Sequence, residues 1–130
     1  MIAAVVDSSA LIDALSTEAS HDSRRYLTDR ELHAPQLIGV EMLSWLRRLS
    51  LRGNLVPRQA LRLLAQYETL PIQRYPHEPF LWRAWQLRDT ITAYDAQYVV
   101  LAEALGAPLV TRDRKLAAAA AAFCNVIVPD

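Results

Sequence analysis

The stretch from Thr90 to Asp113, TITAYDAQYVVLAEALGAPLVTRD, constrains the fold most, because it carries a helix marked at both ends, a short apolar run and two well-placed aspartates. Thr92 can accept from the backbone N–H three residues on, and Gly106 suits the position just past a helix, so Ala93 to Leu105 is expected to be helical. Asp95 falls in the first turn, where a carboxylate also favours the positive end of the helix dipole. It shares a face with Tyr98, Val99 and Ala102, at the i, i+3, i+4, i+7 spacing of a buried stripe, and a carboxylate on that face needs a partner. Pro108 to Thr111 then reads as a short strand, with Asp113 at its carboxyl end and a further helix starting at Arg114. Asp113 is also what a helix N-cap looks like.

The same grammar opens the chain. Ile2 to Val6 is apolar at every position, as in a strand of a parallel sheet, and Asp7 ends it. Ser8 or Ser9 is expected to cap a short helix through Leu15, followed by a helix over Glu18 to Thr28 and a short edge strand at Leu32 to Ala34. Asp13, Glu18 and Asp22 read as solvated charges. Gln36 to Arg52 is the strongest helix, with Leu37, Val40, Leu43, Trp45, Leu46 and Leu49 as its apolar face, and Gly53 stops it. Glu41 borders that face, where it either pairs with Arg48 or serves a site.

Pro57 suits the first position of a helix reaching Glu68, with Ala60, Leu61, Leu64 and Ala65 in its stripe. Ile72 to Tyr75 is a third strand, Pro79 to Arg88 a helix, and Val126 to Val128 a last strand. Trp82 and Trp85 lie one turn apart, a spacing that favours core over a stacking platform. The expected architecture is an α/β sandwich, three layers deep, with a mostly parallel central sheet of four or five short strands. Its right-handed crossovers bring the first and fourth strands, and so Asp7 and Asp113, side by side.

Composition bounds the function without naming it. The 130 residues, 52% hydrophobic, suit a single domain over 1–130. Fourteen basic and fourteen acidic side chains balance, so a nucleic-acid partner would have to be drawn by a local patch. One cysteine, Cys124, cannot make an internal disulfide, and the apolar start is too short for a membrane span, so a cytoplasmic chain is expected. His21, His33 and His77 have no metal-site spacing. Asp7, Glu41, Asp95 and Asp113, gathered without a basic residue among them, would repel unless a cation sat between them. All-oxygen ligands suit Mg²⁺, with Mn²⁺ as a substitute, and the chemistry is that of metal-assisted phosphodiester hydrolysis.

These motifs, VVDSSALID at Asp7, the helix with Glu41, and TAYDAQYVVLAEALGAPLVTRDRKL, resemble the PIN-domain family over nearly the whole chain, and within it the VapC-type toxins of type II toxin–antitoxin systems. The resemblance implies a Mg²⁺-dependent endoribonuclease, neutralised by a VapB-type antitoxin that also binds the toxin promoter region, with a homodimer and a larger toxin–antitoxin complex. It assigns Asp7 and Asp95 as the main metal ligands, Glu41 and Asp113 as secondary or water-mediated ones, and Ser9 and Thr111 as supporting polar groups. Arg112, Arg114 and Lys115 are then candidates for holding the RNA backbone. Other readings are a catalytically silent RNA- or protein-binding module of the same fold, and a different metal-dependent phosphoester hydrolase. A phosphatase-like enzyme would want a second aspartate two residues after Asp7, where Ser9 stands.

Overall fold

The computed structural model describes residues 2–16 and 21–129. Strands β1 (Ile2–Val6), β2 (Arg30–Pro35), β3 (Ile72–Tyr75), β4 (Leu109–Val110) and β5 (Val126–Ile127) form one sheet in the order β3-β2-β1-β4-β5. Every neighbouring pair is parallel. Ala4, Val5 and Val6 are consecutive and all buried, so both faces of the central strand are covered and the domain is a three-layer α/β sandwich. The helices are α1 (Ser8–Leu15), α2 (His21–Thr28), α3 (Leu37–Leu51), α4 (Pro57–Thr69), α5 (Leu81–Gln86), α6 (Ala93–Leu105) and α7 (Arg114–Ala120), with a 3-10 turn at Glu78–Phe80.

The chain winds outward from β1 through β2 to β3, then returns to place β4 on the other flank of β1. The order therefore reverses between β1 and β4, and a crevice opens at the carboxyl ends of strands on either side of such a reversal. Asp7 follows β1 and Thr111 follows β4 directly, with the Asp7 N–H donating to the Val110 carbonyl at 3.1 Å. This ladder bond holds the carboxyl ends of β1 and β4 together.

Helix α6 is the spine of the domain. Ala96 through Ala102 are all buried, so it is enclosed on every side rather than amphipathic. Its ends are as the sequence requires: the Thr92 hydroxyl accepts from the Asp95 N–H at 3.2 Å, and Gly106 closes the helix in the left-handed region at φ 61°.

Several expectations are corrected. The strand at Leu32 to Ala34 is longer and lies between β1 and β3, so it is interior rather than an edge. Helix α3 buries Leu37, Ile38, Met42 and Leu46, while Val40 and Leu43 face outward; apolar residues surround this helix, so periodicity alone could not choose the face. On α4 it is Tyr67 that is buried and Leu61 that is exposed. The helix expected from Pro79 starts as a 3-10 turn and is shorter than anticipated. Trp82 and Trp85 are not core: they are 89% and 65% exposed. The expected charge Glu18 lies outside the described residues, as does the start of its helix. Among the described residues no helix is long and apolar enough to cross a membrane.

A side chain at Gly106 would meet nothing within 4 Å, so replacing it tests backbone conformation alone. Gly106→Ala is expected to cost about 1 kcal/mol, and Gly106→Asn less, because an L-residue with a Cβ resists the left-handed region. Urea unfolding checks this as a lowered midpoint at unchanged slope.

Candidate active site

The centre of the site is a buried carboxylate. Asp7 is 4% exposed and caps α1 itself, in place of the serines expected there: its Oδ1 accepts from the Ala10 N–H at 2.9 Å and from the Ser9 hydroxyl at 2.7 Å. The fully buried Thr111 hydroxyl reaches across from the end of β4 to donate to Asp7 Oδ2 at 2.5 Å. Thr111 Oγ1 in turn accepts from the Asp113 N–H at 3.0 Å, and Ser9 Oγ accepts from the Arg112 N–H at 2.9 Å. Ser9 and Thr111 thus tie the loop after β4 to the carboxylate after β1. None of these bonds comes from a basic side chain.

Burial pushes the Asp7 carboxyl up to about 6, against bonds from Thr111, Ala10 and Ser9 that lower it, and the charge of Asp95 raises it further. Glu41 is also raised, by burial first, with the Tyr98 hydroxyl lowering it and Asp95 raising it. Asp95 is raised by burial and by the charge of Asp113. The four acids thus form one chain of mutual influence, from Asp7 and Glu41 through Asp95 to Asp113. Among the described residues they form a shared negative field rather than a closed cage, since no three Asp, Glu, His or Cys side chains are gathered as a ready metal cluster.

Glu41 does not pair with Arg48, whose guanidinium bonds the Ser44 hydroxyl at 3.0 Å. It accepts instead from the Tyr98 hydroxyl, a buried group on α6 one turn beyond Asp95. Tyr98 is the positioning residue that sequence reasoning left in the core, although its i+3 spacing from Asp95 was the available signal. Ser8 lies near both and lowers the pKa of each. Asp113 does act as a helix cap, its Oδ1 accepting from Lys115 and Leu116 N–H at 3.0 and 3.1 Å. The candidate cations divide: Arg112 is held by the Pro129 carbonyl and lies 3.9 Å from Asp13, whereas Arg114 and Lys115 are exposed at the start of α7. Asp13 is therefore not simply a solvated charge.

Burial holds the Asp7 carboxyl up at about 6 against an ordinary 3.8, so the folded protein binds more protons between those values. Stability of the chelator-treated protein is thus greatest below pH 4 as far as this group is concerned, and falls through pH 6, by about 3 kcal/mol in total. The raised Glu41 and Asp95 act in the same direction. Asp7→Asn should flatten this fall, which thermal melts from pH 4 to pH 7 would reveal.

The PIN domain pattern matches residues 4–122. Ribonuclease VapC9 of Mycobacterium tuberculosis is 39% identical over 124 residues, covering 95% of this chain and 96% of the relative. Ribonuclease VapC1 of the same species is 40% identical, covering 94% of each. Among solved structures, VapBC2 from Rickettsia felis bound to a DNA fragment from its promoter superposes with a TM-score of 0.74 at 11% identity, covering 99% of this chain and 100% of that one. With the PIN domain pattern spanning residues 4–122 and relatives about 40% identical over nearly the whole chain, the chain belongs to the PIN-domain family.

Proposed function

We propose that this protein is a metal-dependent endoribonuclease, the toxin of a type II toxin–antitoxin pair. The observation that carries the reading is Asp7, a carboxylate held in the interior at the sheet's reversal point, with Asp95 as a charged neighbour and, among the described residues, no basic side chain bonded to it. The chain's likeness to the VapC ribonucleases supports RNA as the substrate class, and its likeness to VapBC2 on promoter DNA supports a VapB-type antitoxin as partner.

The donor set fits a hard divalent cation. Mg²⁺ keeps several waters and is commonly bound through only one or two carboxylates, so an open arrangement of acids suits it better than a cage would. Asp7 and Asp95 would hold the ion, with Glu41 and Asp113 reaching it through water. When bound, Mg²⁺, or Mn²⁺ in its place, supplies a more acidic water and offsets charge building on the phosphate.

The protein's own groups do the rest. Ser9, Thr111 and the Ala10 N–H occupy lone pairs of Asp7 and fix the direction in which its remaining ones face. Tyr98 orients Glu41, whose raised pKa keeps it ready to take a proton from an attacking water. Arg114 and Lys115, exposed beside Asp113, are placed to meet the RNA backbone.

Mg²⁺ should stabilise the folded protein by about 2.7 kcal/mol at a hundredfold excess over Kd, and raise Tm accordingly. An equal rise in an Asp7→Asn, Asp95→Asn double variant would remove the metal assignment. Cleavage of structured RNAs should require Mg²⁺ or Mn²⁺ and fall by about 10² or more in Asp95→Asn. Cleavage that persists in chelator would overturn the reading.

A further inference from the structure

Helix α3, which carries Glu41, has a weak beginning. Its N-cap Gln36 makes no side-chain capping bond, and Gly39, a poor helix former, sits in its first turn. Packing requires that glycine, since a Cβ there would stand 3.2 Å from the Tyr67 hydroxyl on α4. The turn is held instead from outside, by the end of β3 and the residues after it. The Gln36 N–H donates to the Tyr75 carbonyl at 2.9 Å, and the Leu37 N–H donates to His77 Nε2 at 3.1 Å, across 40 residues of sequence. Accepting at Nε2 places the ring's proton on Nδ1 and keeps the imidazole neutral. Glu41 follows Leu37 at i+4, so the two lie one above the other on the same side of α3, and the regular helical bond runs from the Glu41 N–H to the Leu37 carbonyl. His77, Gln36, Leu37 and Glu41 accordingly line one cavity, of about 590 Å³.

We propose that His77 is a positioning residue for Glu41, holding the first turn of α3 so that the Glu41 carboxylate meets the Tyr98 hydroxyl. That hydrogen bond joins α3 to α6. Helix α3 itself packs chiefly on α1 and α4, so its placement against α6 has to be set elsewhere. The 3-10 turn that follows His77 packs on α6, and its Phe80 N–H donates to the His77 carbonyl at 2.9 Å. His77 therefore stands between the two helices, with its ring on the start of α3 and its main chain in the turn that leans on α6. Without the imidazole acceptor the Leu37 N–H loses its partner and the first turn frays. The Glu41 carboxylate, hung from that turn, then loses its fixed distance to Tyr98. Because the acceptor is neutral, it fixes the acid without offsetting its charge. The role deepens the ribonuclease reading, in which Glu41 takes a proton from the attacking water, and rests on that reading for its chemistry.

The test removes the acceptor and then restores it. His77→Leu leaves a side chain of similar bulk with no acceptor, whereas His77→Gln can bring its Oε1 to where Nε2 stood. With Mg²⁺ and structured RNA, His77→Leu should lower kcat about tenfold with KM unchanged, and His77→Gln should restore most of the loss. In a Glu41→Gln background the same His77→Leu change should cost nothing further, because the carboxylate it positions is gone. A loss confined to KM, a full further loss on top of Glu41→Gln, or no rescue by glutamine overturns the role. A second readout needs no activity. In protein carrying carbon-13 at the hydroxyl-bearing ring carbon of tyrosine, kept in chelator, the Tyr98 signal is identified by its absence in Tyr98→Phe. It should shift in His77→Leu and return in His77→Gln. A Tyr98 signal that stays in place in His77→Leu overturns the role whatever the activity. A signal that responds, in a protein that cuts no RNA with Mg²⁺, removes the nuclease and keeps His77 as the residue that places Glu41. If leucine prevents folding, His77→Ala, which lets water reach the Leu37 N–H, carries the same expectations.

Discussion

The hydrogen bond from Thr111 to Asp7 joins two strands that lie more than a hundred residues apart in sequence, and the arrangement of the site depends on it. A carboxylate this deep is unfavourable in its charged form. The fold accepts it because its oxygens are met by Thr111, Ser9 and the Ala10 N–H, and because the Asp7 N–H is itself used in the sheet ladder. The same hydroxyls extend the network to Arg112 and Asp113. Position is thus imposed on the acids by neutral donors, so their charges remain uncompensated and available.

What could be read in the residues followed from local chemistry. The Thr92 cap, the Gly106 stop and the apolar run ending at Asp7 each have a short-range cause, and each lies where the pattern puts it. The neighbouring of β1 and β4 followed from crossover handedness. Faces were harder. Helix α3 is apolar on several sides, so the choice between Ile38 and Met42 on one hand and Val40 and Leu43 on the other is made by the packing of α1 and α4, which no window of sequence contains. Trp82 and Trp85 misled for the same reason, since helical spacing marks a face without saying whether anything covers it.

The candidate acids stand out in the sequence, whereas the groups that hold them do not. Asp7, Glu41, Asp95 and Asp113 are marked by carboxylates at unusual places, but the groups that hold them are ordinary. Tyr98 looks like a core aromatic, and Ser8 looks like a helix cap until α3 brings Glu41 beside both. The capping readings were also not rivals of the site readings. Asp7 and Asp113 both cap helices, and capping is how the backbone aims them.

The strands that carry the site are unequal. Asp7 follows a five-residue strand at the middle of the sheet, whereas Thr111 and Asp113 follow β4, a two-residue strand whose outer neighbour β5 is equally short. Few ladder bonds hold that flank, and local opening proceeds most readily where bonding is sparse. The acids therefore straddle a seam between a stiff half and a soft half of one sheet. A small outward movement of the soft half would separate Thr111 from Asp7 and release the carboxylate from its strongest neutral donor, dismantling the site while most of the core stayed folded.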